Sequence, residues 1–174
     1  MDAADDPTEE ELISRAPMMS DLSALCRELN DSGAHYLVIG GFAIINSGYP
    51  RTTMDIDFVL DPSIENEAKV YKALESLPDK AVLELEAGDV AKHTVVRVGD
   101  EITVDLMASA GGFSFEDCKD EIVYREIDGV QIPFASPRLL WRLKEKTYRE
   151  KDKQDLVFLR EHYAEEIFGT DSPE

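Results

Sequence analysis

A chain of 174 residues, 43% hydrophobic and 32% charged, can bury a proper core within one domain. Its formal net charge of −19 at pH 7 excludes a large non-specific nucleic-acid footprint and opposes long-range attraction to acidic membranes. No apolar run approaches transmembrane length, and the start MDAADDPTEEE, with six acids and no base, is the opposite of a signal or transit peptide, so a cytoplasmic location is expected.

Residues 1–17 lack periodicity and read as an acidic flexible tail, with a single domain over 18–168. Ser20 is placed to N-cap a helix whose Leu22, Leu25, Cys26 and Leu29 fall at i, i+3, i+4 and i+7, and Asn30 to Gly33 stops it. Cys26 on that stripe reads as a buried, inert thiol, and with Cys118 it forms no CxxC pair. Tyr36-Leu-Val-Ile39 is a short strand, ended by Gly40-Gly41. A short helix follows from Phe42, broken by Ser47-Gly-Tyr-Pro50, and Met54 to Leu60 is a second strand. Pro62 leads a helix to about Leu77, with Ala68, Val70, Tyr71, Ala73 and Leu74 among its apolar positions, and Ala81 to Glu86 reads as a short strand. Two hairpins follow: Thr94–Val98 with Ile102–Met107 around Gly99-Asp100, and Ile122–Ile127 with Val130–Phe134 around Asp128-Gly129. Ala108 to Gly112, between them, is a small-residue loop. Ser136-Pro137 starts a helix carrying Leu139, Leu140 and Leu143. Asp152 is placed to cap a last helix with a stripe of Leu156, Leu159, Tyr163 and Ile167. These two helices make a basic cap over about 136–168, because seven of the 18 basic residues lie between Arg138 and Lys153. That cluster leaves room for a local phosphate-binding patch despite the global charge.

Two strands break the usual chemistry of strands. In the first, Met54, Ile56 and Phe58 share a face, which leaves Asp55 and Asp57 side by side on the other, about 7 Å apart along the strand. In the second, Ile102, Val104 and Leu106 leave Thr103, Asp105 and Met107 on the opposite face. Like charges so placed call for something positive between them, and a lone strand Asp is unfavourable unless paired or liganded. Three strand carboxylates suit one or two Mg²⁺ ions, or Mn²⁺, since hard cations prefer oxygen ligands. Gly40-Gly41 at a strand-to-helix corner would let a triphosphate approach backbone N–H groups closely.

Ile39-Gly40-Gly41, thirteen residues, then Asp55-Ile56-Asp57-Phe58 resembles the motif of the polymerase-β-like nucleotidyltransferase superfamily, and Asp105 matches its third strand carboxylate. Gly48-Tyr-Pro-Arg-Thr-Thr-Met-Asp-Ile-Asp57 is most similar to small prokaryotic nucleotidyltransferases related to the toxin components of abortive-infection toxin–antitoxin systems. Leu143 to Leu156 resembles their C-terminal Lys…Arg…Lys/Arg-Asp-x-x-Asp element. Gly41 stands where many relatives carry serine.

The resemblance implies an α/β (α+β) fold: a mixed, mostly antiparallel sheet packed with helices and a helical C-terminal cap, with the carboxylates expected on one edge. It implies an NTP-dependent enzyme that releases pyrophosphate. Asp55, Asp57 and Asp105 would be metal carboxylates, Asp105 also assisting deprotonation of the acceptor hydroxyl. Gly40 and Gly41 would cradle the phosphates, Arg51 and Thr53 would touch nucleotide or acceptor, and Lys144, Arg149 and Lys151 would neutralise triphosphate charge. The acceptor stays open between tRNA, a protein and a small molecule such as an antibiotic, and an antitoxin partner is implied by the toxin relatives.

Plainer readings compete. Asp55 and Asp57 fit a solvated edge-strand face, Arg51 a simple acid pair, and the basic run a solvated helix face with i,i+4 pairs. Trp141 fits the core better than a base-stacking platform. At the level of function the alternatives are a nucleotide- or partner-binding module without turnover and a nucleotide-sugar glycosyltransferase using Asp-x-Asp.

Overall fold

The computed structural model describes residues 13–147 and 149–170, so the first twelve residues of the expected acidic tail lie outside the described residues. Ser14 and Arg15, within that expected tail, are tied down: Ser14 Oγ donates to the Asp100 carbonyl at 2.6 Å and Arg15 N to the Glu101 carbonyl at 2.9 Å.

Helix α1 (Met19–Asp31) leads into β1 (Tyr36–Ile39), α2 (Gly40–Asn46), β2 (Asp55–Leu60) and α3 (Ile64–Leu74). After a 3-10 turn (Ala81–Glu84) come α4 (Asp89–Lys92), β3 (Val96–Gly99) and β4 (Thr103–Met107). A two-residue-per-strand ribbon, β5 (Ser109–Ala110) and β6 (Phe113–Ser114), precedes α5 (Phe115–Cys118). The chain closes with β7 (Ile122–Ile127), β8 (Val130–Ala135), α6 (Pro137–Lys144) and α7 (Glu150–Phe168).

Six strands form one sheet in the order β3-β4-β2-β1-β8-β7. The pairs β1–β2, β3–β4 and β7–β8 are antiparallel, while β1–β8 and β2–β4 are parallel. This is the mixed, mostly antiparallel sheet that the sequence implies, with one correction. The carboxylate strand β2 is not an edge: it is paired to β4 on one side and β1 on the other, so Asp55 and Asp57 lie in the sheet interior. The sheet's apolar positions supply the core, with Leu37, Ile56, Phe58, Val104, Leu106 and Phe134 all essentially inaccessible. Asp128 and Gly129 both take positive φ, 53° and 76°, which a two-residue hairpin turn between β7 and β8 requires.

Local expectations fail where a polar side chain, near or far along the chain, supplies a bond that hydrophobic periodicity does not record. Met18, not Ser20, stands at the N-cap of α1, where Asp21 accepts its backbone N–H at 2.7 Å and pairs with Arg15 at 2.7 Å. Ala68 faces solvent and α3 ends at Leu74. Its buried face instead includes Asn66, bridging His35 and Asp61, and Glu67, accepting the N–H groups of Gly88 and Val90. Ala81 to Glu84 coils rather than extends because Asp100 collects three backbone N–H groups: Asp79 at 3.0 Å, Ala81 at 3.0 Å and Glu101 at 2.7 Å. Asp152 is the third residue of α7 rather than its cap, and of the expected stripe only Leu159 is fully buried. Cys26 and Cys118 are free and buried, and burial pushes the Cys26 thiol up to about 12, as an inert thiol requires.

Asp100→Ala orphans three backbone donors at once. It should lower the unfolding free energy by roughly 1–3 kcal/mol in urea titration, with an unchanged denaturant slope if only that turn is lost.

Candidate active site

Strand alternation and parallel pairing together build the acidic centre. Asp57 of β2 lies directly opposite Asp105 of β4, and Asp55 opposite Thr103, so the three carboxylates share one face of two adjacent strands. One oxygen from each falls within 4.8 Å of the others. Burial first, then the charges of Asp55 and Asp105, push the Asp57 carboxyl from its ordinary 3.8 up to about 7, with Lys151 and Lys144 pulling the other way.

The positive charge demanded by this arrangement is Arg97, which sequence reasoning did not single out. In the β3–β4 hairpin it pairs across from Asp105, donating through Nε at 2.9 Å and Nη2 at 3.0 Å to the two carboxylate oxygens. The same Nη2 lies 3.4 Å from Asp55 Oδ2. Its signal is the alternation Val96-Arg97-Val98, which sets the arginine apart from two buried valines. The partner becomes readable only with the register, because the connecting loop is Asp100 to Ile102 rather than the expected Gly99-Asp100.

Gly40 and Gly41 owe their identity to protein neighbours. Gly40 has φ +66°, and a Cβ there would overlap the Asp57 carboxylate. At Gly41 a Cβ would fall 2.5 Å from Thr53 Oγ1 and 2.6 Å from its Cβ. The space that a serine would need at Gly41 is filled by Thr53, whose hydroxyl donates to the Asp55 carbonyl at 3.1 Å.

The basic residues divide into committed and uncommitted. Lys144 is buried, 2.8 Å from Asp152 and 3.2 Å from Asp155. Arg149 pairs with Asp152 at 2.9 Å, and Thr147 donates to the same carboxylate at 2.7 Å. Arg51 reaches Asp155 at 3.0 Å, which is the acid pair of the plainer reading. Burial opposes ionisation of Asp152, but Lys144, Thr147 and Arg149 hold its carboxyl down at about 2. These contacts are not the i,i+4 pairs of a solvated face; most of them join α6 and the loop before β2 to α7. Lys151 is exposed and forms no ion pair among the described residues. Trp141 is half-buried between the last two helices, edge-on to Phe168 at 5.1 Å with Arg160 above it.

All ten residues singled out in the sequence (Gly40, Gly41, Arg51, Thr53, Asp55, Asp57, Asp105, Lys144, Arg149 and Lys151) line one cavity of about 780 Å³. Arg97, Thr94 and Val95 line it too, as do Leu140, Leu143 and the β5–β6 segment Ser109 to Gly112. Nothing local in the small-residue run 109–112 marks it as a cavity wall; the fold alone carries it there.

A family sequence model described as "Nucleotidyl transferase of unknown function (DUF2204)" matches residues 18–172. The chain belongs to that family. No curated protein matches it. Among solved structures, a Thermotoga maritima protein provisionally named a nucleotidyltransferase is similar, at 17% identity and a TM-score of 0.48, covering 86% of this chain and 89% of its own. Among the described residues, no helix is long and apolar enough to cross a membrane.

Two outcomes follow from the charges. In metal-free protein, stability should fall between about pH 4 and pH 7, because folded Asp57 keeps a proton that the unfolded chain gives up near 3.8. Below that range both states hold the proton and above it neither does, so Asp57→Asn should flatten this limb, a difference on the order of a few kcal/mol in pH-dependent urea titrations. Lys144→Ala leaves Asp152 with Arg149 and Thr147 and Asp155 with Arg51 alone, and should cost roughly 1–3 kcal/mol, whereas Lys151→Ala should leave the thermal midpoint unchanged.

Proposed function

We propose that this nucleotidyl transferase moves a nucleoside monophosphate from an NTP to a hydroxyl acceptor in a Mg²⁺-dependent reaction. The observation that carries the reading is the set of three carboxylates within 4.8 Å of one another, on a cavity that also takes in Arg51, Lys144, Arg149 and Lys151. The donor set fits a divalent cation: three carboxylates with hard oxygen atoms, one of which, buried and beside two like charges, keeps its proton to about pH 7. Asp55, Asp57 and Asp105 would hold the ion, which when bound supplies Lewis-acid stabilisation at the reacting phosphoryl oxygens.

The chain's own residues do the rest. Gly40 and Gly41 border the site without side chains, so Asp57 and Thr53 close directly against the backbone there. Lys151, uncommitted to any acid, neutralises triphosphate charge, while Lys144 and Arg149 contribute through a network already half-balanced by Asp152 and Asp155. Arg51 and Thr53 orient nucleotide or acceptor from the loop before β2. The acceptor oxygen bonds to the α-phosphorus as the bond from that phosphorus to the β-phosphate oxygen breaks. Pyrophosphate leaves, and Asp105 accepts the hydroxyl proton. The net charge of −19 favours a compact or cationic acceptor over a long RNA.

Thermal unfolding with Mg²⁺, with each NTP and with both tests the site. Mg·NTP at 100 times its dissociation constant should add about 2.7 kcal/mol beyond Mg²⁺ alone, and Asp55→Asn/Asp57→Asn should abolish that extra shift. Transfer of label from an α-labelled NTP to tRNA, protein or small-molecule acceptors then identifies the reaction. Equal shifts in wild type and double mutant would defeat the reading.

A further inference from the structure

Arg97 stands in a position that a divalent cation would contest. Its guanidinium takes both oxygens of Asp105, at 2.9 and 3.0 Å, and reaches Asp55 at 3.4 Å, so it engages two of the three carboxylates that would bind a metal. The Asp105 side chain is only 7% exposed, which leaves it few alternative partners, whereas the Arg97 side chain is 64% exposed. Arg97 also sits on β3, the edge strand, with Val96 and Val98 holding the opposite face in the core. The guanidinium can therefore swing away from the acids without disturbing the sheet. An ion pair this exposed is weak by itself, yet the bidentate geometry matches a planar fork to a carboxylate.

We propose that Arg97 is a latch on the metal site: it chelates Asp105 in the resting protein and must leave when a divalent cation binds. Metal alone meets this competition. A metal–nucleotide complex brings phosphate anions that give the displaced guanidinium a new partner at the cavity wall, which Arg97 already lines. Metal and nucleotide therefore bind with positive coupling, each strengthening the other by the same factor. This rests on the reading of Asp55, Asp57 and Asp105 as a metal site.

Mn²⁺ titration followed by the electron paramagnetic resonance of the free ion tests it, with and without an α,β-methylene NTP whose α–β link does not break. The proteins are wild type, Arg97→Ala, Arg97→Lys and Asp57→Asn. Without nucleotide, Arg97→Ala should bind Mn²⁺ roughly tenfold or more tightly than wild type, and the enhancement by nucleotide should shrink. Arg97→Lys, which keeps the charge but loses the fork, should fall between the two. In chelator, Arg97→Ala should melt below wild type and recover more on adding Mn²⁺. Were Arg97 a fixed outer partner that orients Asp105 for the metal, its removal would weaken Mn²⁺ binding instead. Equal or weaker binding by Arg97→Ala overturns the latch, as does a Lys variant that matches wild type. Should the latch be overturned in either way, wild-type Mn²⁺ binding that Asp57→Asn abolishes still upholds the metal site. Absence of Mn²⁺ binding in every protein, with nucleotide present, overturns both.

Discussion

The mutual repulsion of Asp55, Asp57 and Asp105 is the constraint around which this fold is arranged. Three acids on one face of two adjacent interior strands are a strong local penalty; burial first, and then the charges of Asp55 and Asp105, make Asp57 retain its proton to about pH 7. The sheet can carry that penalty because the other face of the same strands is thoroughly apolar, with Ile56, Phe58, Val104 and Leu106 sealed in the core. Since β2 is paired on both sides, a one-residue slip would drive the aspartates into that core, which locks the register.

The C-terminal helices are fastened to this centre by buried charge as well as by the apolar side chains Leu139, Leu140, Leu143 and Leu159. Helix α7 buries Asp152 and Asp155 completely, and these carboxylates gather Lys144 from α6 and Arg51 from the loop between α2 and β2. Further contacts tie the same loop to α7: Tyr163 donates to the Ser47 carbonyl, and Tyr49 stacks on Phe158 at 5.0 Å. The loop that carries Arg51 and Thr53 into the cavity is thus positioned by a helix more than a hundred residues later. Such a network is costly to break on one side only, which gives the cap a definite seat rather than a large stabilising contribution.

Several features of the site are legible in the residue pattern itself. Alternation alone places Asp55 with Asp57 and sets Asp105 against Ile102, Val104 and Leu106, because the two-residue period of a strand is a local property. Gly40-Gly41 marks the strand-to-helix corner, Asp128-Gly129 the second hairpin and Ser136-Pro137 the start of α6. Failures cluster where bonding is distant. Asp100 turns an expected strand at Ala81 into a 3-10 turn, and Asn66 and Glu67 displace Ala68 from the buried face of α3. In each case a polar side chain satisfies backbone groups of another segment, which no local pattern records.

Residue order along the chain thus settled which side chains are chemically unusual: carboxylates where strands want apolar or β-branched residues, paired glycines at a corner, and bases gathered near the end. Tertiary structure alone decided how they meet. It set Asp57 beside Asp105 through a parallel pairing of strands far apart in sequence, and Arg97 across from Asp105 through the length of a hairpin loop. It also turned Lys144 and Arg51 inward onto buried acids and set the exposed Arg149 against one of them, while leaving Lys151 exposed and without an ion pair among the described residues. The physical reason is range: side-chain periodicity follows from backbone geometry within a few residues, but register and charge partnership are chosen by the packing of the whole chain.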